Sequence, residues 1–338
     1  MHNCLAIVPR LWFILSLLVV CTNANVVGAQ TQKKAIETLH RITAQKEMKE
    51  SYLDLVFASE RVMNPKLDEK YVRRFIKKMA AAVREAIDEE TNPRNQLQAL
   101  NKVVFRDFRF DVPSQPSDPF EMTSDEVLRA YMLHRFIKHK EAYCAGLSMV
   151  YFLVGREAKL PVSICNAPMH CYCEFQMGKG KKVGVECTAR GVLLPQSVIP
   201  RLLGAKPAAA NSGVYFRPLT KKKFLAVQLN SLCFAAASRK KGKTLVPQPD
   251  LVKLADLMVK LDPQNPESLD TAALVYHKAS LHRKALDTMN KAFRNAKTFG
   301  NIPKAYRYYS KMQKKYQKAV DALMKNAPKE KQVKNTNG

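Results

Sequence analysis

The sequence predicts an α+β protein in which one apolar helix packs on a small antiparallel sheet, with helical segments before and after this core. Three observations support this fold class. Apolar residues recur at spacings of three and four through residues 32–101, three short strand-like segments lie between residues 162 and 188, and helical spacing returns from Phe216 onward. A chain of 338 residues with this order of elements is long enough for more than one domain.

The first 29 residues are typical of a secretory signal peptide. Arg10 precedes a short apolar run at residues 11–20, and small residues end the segment at Ala29, where we expect cleavage. The run is too short for a membrane span, and a lipoprotein motif would place a bulky valine directly before Cys21. We therefore expect an exported protein, periplasmic or extracellular, with an uncleaved anchor or lipidation as the alternatives.

Residues 30–101 are predicted to form a helical N-terminal region. The apolar positions from Ile36 to Val83 follow helical spacing. Asn64-Pro65 should divide the region into two helices, and Asn92-Pro93 should open a third, short one.

The segment that follows is less regular. Residues 103–112 place three phenylalanines among arginine and aspartate before a proline-rich loop, so a connector or an edge strand is expected. Thr123, Ser124 and the acids after them are typical of a helix start. We therefore expect a helix over about residues 124–138.

The predicted core begins with a helix that starts at or next to Cys144 and ends before Leu160-Pro161. Its apolar side chains follow helical spacing, and the small Ala145 and Gly146 lie in its first turn. Three short strands should follow, with the sequences VSIC (162–165), MHCYCEFQM (169–177) and KVGVECT (182–188). The GKGK sequence is a plausible hairpin turn between the last two.

The register of that hairpin decides which side chains meet. If paired positions have an even sum, His170 and Glu186 share one face of the sheet, and Cys171 and Cys187 share the other.

Cys144, His170 and Glu186 are the candidate catalytic residues. A nucleophilic cysteine must be a thiolate, and both a helix N-terminus and a neighbouring imidazolium favour that charge. Cys144 is predicted to lie at a helix N-terminus, and His170 is the candidate for the neighbouring imidazolium. Glu186 would accept the other imidazole N–H and so fix the tautomer and orientation of the ring.

These segments resemble the transglutaminase-like superfamily, which shares papain-type chemistry. The matching residues are YCAGLSMVYFLVGREAKLPVSICNAPMHCYCEF and GVECTARG, with Glu186 where the superfamily usually has aspartate. The resemblance implies a transglutaminase-like or papain-like core over residues 102–215, with Cys144 as nucleophile, His170 as general base and acid, and Glu186 as orienting carboxylate. An exported domain of this kind followed by tetratricopeptide repeats resembles bacterial members of the superfamily.

Other interpretations of the cysteines stay open. Cys144 could be a buried structural thiol and His170 a core histidine. Zinc could be bound by a set drawn from Cys165, His170, Cys171, Cys173 and Cys187, although their spacing lacks paired C-x-x-C sequences, so no metal or other cofactor is expected. Cys171 or Cys173 could form a disulfide with Cys165 or Cys187 in an exported protein, or all could be free, and Cys233 is expected in the core.

The C-terminal part, residues 216–325, is predicted to contain tetratricopeptide-like helical repeats. Residues 266–299 match the pattern of large and small packing residues of that repeat. A looser copy precedes them, interrupted by a lysine-rich insert at 239–243, and a further helix pair is expected between Ala305 and Met324. Residues 326–338 are predicted to be a basic disordered tail.

The charge of the chain is strongly basic and uneven. The 56 Lys and Arg residues against 29 Asp and Glu residues give a formal net charge of +27. From Lys278 to the C-terminus, 16 basic residues face three acidic ones. An exported protein of this charge could meet an anionic cell-wall polymer or a membrane surface, or the charge could only solubilise helices. Nucleic-acid binding is not expected, because no recognised nucleic-acid motif is present.

The sequence thus predicts cysteine-dependent acyl transfer or amide hydrolysis through a Cys-His-Glu triad. The substrate would be a peptide or protein, with water giving hydrolysis and an amine giving a cross-link. The alternative function is an inactive transglutaminase-like scaffold whose helical repeats bind a protein partner.

Overall fold

The computed structural model describes residues 30–114, 124–238, 246–299 and 303–326. The predicted signal peptide, most of the proline-rich loop, the lysine-rich insert and nearly all of the basic tail lie outside these ranges. Within them, no helix combines the length and the apolar character that a membrane crossing needs.

The α+β fold class is confirmed. Four antiparallel strands form one sheet in the order β1-β2-β3-β4, and helices flank it along the chain. The strands are β1 (Val162–Ala167), β2 (His170–Gly178), β3 (Lys181–Glu186) and β4 (Val192–Pro195).

The N-terminal region contains one helix more than predicted. Its helices are α1 (30–44), α2 (Tyr52–Glu60), α3 (Glu69–Ile87) and α4 (Pro93–Asn101). The unpredicted break lies before α2, where Ser51 and Asp54 form a reciprocal capping box with two bonds of 3.2 Å. Asn64-Pro65 and Asn92-Pro93 do separate helices as predicted, and the Asn92 side chain accepts the N–H of Arg94 at 2.9 Å.

The edge-strand alternative for residues 103–112 is wrong. Residues Lys102–Asp107 form a π-helix that continues α4. Val103, Val104 and Phe105 are all buried, a run that a strand with one solvated face cannot accommodate, because its residues alternate between the two faces. Only an isolated bridge between Asp111 and Glu141 is strand-like in this stretch.

The helix predicted over 124–138 is two helices, α5 (Ser124–Tyr131) and α6 (Leu133–His139). Met132 between them has extended backbone angles, φ −122° and ψ 129°. The buried carboxylate of Glu60 accepts the N–H of Leu133, so a side chain of α2 caps the second helix. This contact joins residues far apart in sequence, and local spacing could not indicate it.

Helix α7 (Cys144–Glu157) is the centre of the core, as predicted, and every residue from Gly146 to Gly155 is buried. Gly146 is required by close packing: a Cβ atom there would lie 2.6 Å from the Phe136 ring. Tyr52 of α2 packs edge-on against Phe152 of α7, with ring centroids 4.8 Å apart.

The sheet has the even register. Cys173 pairs with Val185 and Glu174 with Gly184. As predicted, Cys171 and Cys187 lie on one face, which packs in the same core as α7. Cys165 and Tyr172 lie on the other face and form a cluster with Ile199 of the short helix α8 (Ile199–Leu202). A second short helix, α9 (Pro207–Asn211), follows and contributes to a separate cluster. Strand β4, a short and partly exposed segment, was not predicted.

The C-terminal region is helical, as predicted from Phe216 onward. Its helices pack each against the next: α10 (Lys221–Ser238), α11 (Gln248–Leu261), α12 (Pro266–Lys278), α13 (His282–Thr298) and α14 (Pro303–Asn326). The helix pair predicted after α13 is wrong, because α14 is a single helix of 24 residues with no glycine or proline after its first position. Helix α10 also packs on α2 and α5, so this region is joined to the core.

Candidate active site

Cys144 is the first residue of α7, and it is partly exposed. The preceding Tyr143 is extended, with φ −76° and ψ −179°, and its side chain makes no capping hydrogen bond. The first-turn N–H groups are therefore not capped by this side chain, and the N–H of Ala145 lowers the pKa of the Cys144 thiol. The helix N-terminus thus places both a dipole and a donor at the thiol.

Strand β2 is fastened to α7 beside this thiol. Ser148 Oγ donates to the carbonyl oxygen of Cys171 at 3.1 Å, and Cys173 Sγ donates to the carbonyl oxygen of Ser148 at 3.2 Å. The backbone N–H of Cys171, at the start of β2, lowers the pKa of the Cys144 thiol. The start of β2 is therefore held against the first turns of α7, and His170 is its first residue.

His170 lies between the thiol and a carboxylate. Its Nε2 atom is 2.8 Å from Glu186 Oε2. Its ring also lies close enough to Cys144 for each group to shift the pKa of the other. Since Nε2 is engaged by Glu186, Nδ1 is the nitrogen left for the sulfur. The structure thus brings the three residues singled out in the sequence together at one site.

Glu186 is in turn held by the residues after it. Its Oε1 atom accepts the backbone N–H of Thr188 at 3.0 Å and the Thr188 hydroxyl at 2.5 Å. Glu186 ends β3 and caps the 3₁₀ turn Cys187–Ala189. One carboxylate oxygen is therefore fixed by the turn, and the other is left to orient His170.

Each of the three side chains shifts the pKa of its neighbour toward the charged form. Burial acts against ionisation of Cys144, but the His170 hydrogen bond and charge and the two N–H donors outweigh it and lower the pKa of the thiol. Burial also opposes the charged form of His170, yet its bonds with Cys144 and Glu186 raise its pKa to about 10. Burial of Glu186 is likewise outweighed by its bonds with His170 and Thr188, so its pKa is lowered. At neutral pH this favours a thiolate, an imidazolium and a carboxylate.

The other cysteines differ from Cys144. All six in the described chain are free thiols, so the disulfide alternatives are not present there. Burial raises the pKa of Cys165, Cys171 and Cys173, and it raises that of Cys233 to about 12. No cluster of three or more His, Cys, Asp or Glu side chains among the described residues is arranged to hold a metal ion.

Sequence reasoning missed the supporting residues of this group. The Cys171 N–H and the Ser148 hydroxyl act across the helix–sheet contact, and no local pattern indicates such a bond. Asn101 is also a support: it accepts from the Tyr151 hydroxyl at 2.7 Å and donates to the carbonyl oxygen of Gly191 at 2.9 Å. Thr188 did carry a signal, because a hydroxyl two residues after a carboxylate commonly closes a local turn.

We expect Thr188→Val to slow alkylation of Cys144 by iodoacetamide about threefold at pH 6. The variant loses the hydroxyl bond to Glu186 and keeps the backbone bond, and a single hydrogen bond contributes about 0.5–1.5 kcal/mol. The measurement is the pH dependence of the alkylation rate by intact-protein mass spectrometry. Thr188→Ser, which keeps the hydroxyl, is the control; equal slowing in both variants would contradict a role for this bond.

Comparison with known proteins finds a family match over the part of the chain that contains these residues. Residues 70–230 match the model of a family described as the transglutaminase-like superfamily. No curated protein matches the chain significantly. The matched segment runs from α3 into α10 and contains Cys144, His170 and Glu186, so the resemblance to this superfamily is confirmed for a domain at these residues. Such a domain is compatible with a cysteine-based catalytic core, and the predicted bacterial export and tetratricopeptide repeats stay predictions.

Proposed function

We propose that this transglutaminase-like domain catalyses acyl transfer or amide hydrolysis through Cys144 as nucleophile, His170 as general base and acid, and Glu186 as orienting carboxylate. One observation carries the proposal. Hydrogen bonds run from Thr188 through Glu186 to His170, and the imidazole lies close enough to the thiol at the α7 N-terminus for each to shift the pKa of the other. Nucleophile, base and orienting group in this order are the requirements of thiol catalysis.

The first half of the reaction forms a thioester. The Cys144 thiolate attacks the carbonyl carbon of an amide or ester, and the carbonyl oxygen becomes an oxyanion that N–H groups at the α7 N-terminus would stabilise. When this intermediate collapses, the carbon–nitrogen or carbon–oxygen bond breaks. The leaving group takes the proton of His170, which becomes a neutral imidazole.

The second half consumes the thioester. His170 removes a proton from water or from an amine, which attacks the thioester carbonyl, and the Cys144 thiolate leaves. Water gives hydrolysis, and a primary amine gives a new amide bond. The acyl donor we propose is a peptide or protein amide.

Export and a partner-binding role of the C-terminal helices are part of the same proposal. The signal-like sequence at residues 1–29 supports export, and the antiparallel packing of α12 with α13 in the segment matching the repeat pattern supports tetratricopeptide-like repeats. Export is tested by looking for secretion of a tagged chain. N-terminal sequencing of the secreted product should begin at Gln30. Full cell retention of the tagged chain would contradict it.

The catalytic proposal is tested in two steps. In the first, the purified protein is treated with iodoacetamide at pH 6, and the modified residue is identified by peptide mapping. We expect selective labelling of Cys144, because the other described thiols are buried and an ordinary thiol is almost wholly protonated at this pH. Labelling no faster than that of a free cysteine peptide would favour the inactive scaffold.

In the second step, an activated peptide ester is supplied with and without a primary amine. We expect a Cys144-linked acyl adduct by mass spectrometry and release of acid or amide product. Cys144→Ser should form neither, whereas Cys233→Ser, a buried cysteine in α10, is the matched control and should behave as wild type. Product release by Cys144→Ser at the wild-type rate would show that Cys144 is not the nucleophile.

A further inference from the structure

A basic groove between α13 and α14 is lined by none of the three candidate catalytic residues. Its volume is about 930 Å³, and it is lined by five exposed cations and a half-buried aromatic ring: Arg307, Lys311, Lys314, Lys315, Lys318 and Phe293. No acidic side chain is among the described residues that line it. A concave surface with one sign of charge concentrates the electrostatic potential and attracts ligands of opposite charge.

The cations are arranged in a line. Arg307, Lys311, Lys314 and Lys318 recur at spacings of four, three and four residues, so they lie on one face of α14. The buried Tyr309 and Tyr316 lie on the opposite face. At a rise of about 1.5 Å per residue, successive cations are about 4.5–6 Å apart along roughly 16 Å of helix.

We propose that this groove binds a flexible linear polyanion, a chain of phosphate groups. A line of regularly spaced charges in a concavity matches a thin charged chain that can enter it. A flat bilayer would contact only the rim of a groove. The charge of the segment is not offset locally, because α13 and α14 contain two acidic residues, Asp287 and Asp321, against a majority of lysines and arginines.

The test measures binding of fluorescently labelled inorganic polyphosphate to the full chain over a range of salt concentrations. Lys311, Lys314 and Lys318 are replaced together by glutamine. Each phosphate contact contributes about 0.7 to the slope of log affinity against log salt for a single-stranded polyanion, so we expect the slope to fall by about 2. The affinity at low salt should fall at least tenfold.

A matched control removes the same charge elsewhere. Lys70, Arg74 and Lys78 are exposed on α3 with a spacing of four residues, and none of them lines the groove. Their triple glutamine variant should lower the slope by less than about 0.7. Equal effects of the two variants would mean nonspecific attraction and would overturn the proposal. So would equal or tighter binding of polyglutamate or of vesicles with anionic lipids, which would assign the surface to a different partner.

A separate contact links the C-terminal helices to the candidate active site. Glu267 in α12 accepts the backbone N–H of Met169 through Oε1 at 3.2 Å and the Tyr215 hydroxyl through Oε2 at 2.7 Å. Met169 directly precedes His170 in the two-residue turn between β1 and β2. Glu267 lies beyond the segment that matches the superfamily, which ends at residue 230.

The turn it holds is strained. Met169 has a positive φ of 57°, a left-handed conformation that costs a residue with a side chain about 1–2 kcal/mol. Such a conformation persists only where surrounding contacts maintain it. The bond to Glu267 is a contact of this kind, made one residue before His170.

We infer that Glu267 is a positioning residue that keeps His170 in register with Cys144 and Glu186. This inference rests on the proposed function. Loss of the bond should let the turn relax and weaken the contact of His170 with the thiol. We expect Glu267→Ala to slow alkylation of Cys144 at pH 6 about three- to tenfold, with a smaller effect near pH 9, where an ordinary thiol is ionised.

Three further variants make the test specific. Glu267→Gln keeps an oxygen acceptor and should restore most of the rate. Tyr215→Phe removes the hydrogen bond from the Tyr215 hydroxyl to Glu267 and should leave the pH profile close to wild type. Met169→Gly in the Glu267→Ala protein should recover the rate, because glycine adopts positive φ without strain.

The outcomes separate the two proposals. If wild-type Cys144 is no more reactive than a free thiol, the proposed function fails. If wild-type Cys144 is reactive and Glu267→Ala has the same pH profile, only the positioning role of Glu267 fails.

Discussion

His170→Gln should slow alkylation of Cys144 at pH 6 by up to about two orders of magnitude. In the wild-type protein the imidazolium of His170 stabilises the thiolate and lowers the pKa of Cys144. Without it the thiol should approach the behaviour of an ordinary cysteine, whose pKa of about 8.5 leaves about 0.3% thiolate at pH 6. The difference should shrink as the pH approaches 9, because both proteins are then largely ionised.

The pH profile of acyl transfer gives a second measure of the protonation of Cys144 and His170. The imidazolium that protonates the leaving group exists only below the raised pKa of His170, about 10. Activity should therefore be lost on the acidic side as Cys144 is protonated and on the alkaline side as the pH rises through about 10.

The control is His40→Gln, which changes an exposed histidine of α1 far from this group in sequence. Both variants should unfold in a single transition, which checks that the fold is retained. If His170→Gln were alkylated at the wild-type rate at pH 6, His170 would not stabilise the thiolate, and the proposed triad would be incorrect.

Asp270→Asn should increase the free energy of unfolding at pH 7 by up to about 4 kcal/mol. The Asp270 Oδ1 atom is buried in α12 without a hydrogen-bond partner among the described residues. Burial, and then the nearby charge of Glu267, raise the pKa of this carboxyl to about 8, although Tyr308 donates a hydrogen bond to it. In the unfolded chain an aspartate has a pKa of about 3.9. Between this pKa and that of the folded protein, each pH unit lowers the free energy of unfolding by about 1.4 kcal/mol.

The sign of the pH dependence follows from this difference. Below about pH 4 the Asp270 carboxyl is protonated in both the folded and the unfolded protein. Its ionisation then makes no difference to the free energy of unfolding. As the pH rises from 4 to 8 it ionises only in the unfolded chain, so this group makes the wild-type protein less stable over that interval. Asp270→Asn cannot ionise and should lack this contribution.

Chemical denaturation at several pH values measures the effect. Asp287→Asn, at an exposed position of α13, is the matched control and should change stability by no more than about 0.5 kcal/mol. Parallel stability curves of Asp270→Asn and wild type between pH 4 and 8 would show that Asp270 is ionised in the folded protein.

Local chemistry accounts for what could be predicted from the sequence. The start of α7 at Cys144, the cap at Asn92 and the β2–β3 hairpin depend on neighbours within a few residues. The face shared by His170 and Glu186 follows from the two-residue period of a strand once the hairpin register is chosen. For this reason the candidate site could be assembled from one strand pair and one helix.

The errors have a common cause. Helix α6 starts after Met132 because Glu60 of α2 caps it, and residues 102–107 stay helical because three successive side chains are buried. Each depends on contacts between distant segments. Strand β4 was missed because it is short and pairs with β3 only at an edge of the sheet.

The sequence by itself determined the α+β class and the start of the helix that begins with a thiol, because these depend on side-chain period and local structure. It also predicted the imidazole and carboxylate that accompany the thiol, from the order of these residue types along the chain. Only the tertiary structure decided that Ser148 of α7 bonds to the carbonyl oxygen of Cys171 in β2 and that Glu267 of α12 bonds to the turn before His170. The physical reason is that a hydrogen bond between distant segments depends on how whole elements pack, and this packing leaves no periodic signal in either segment.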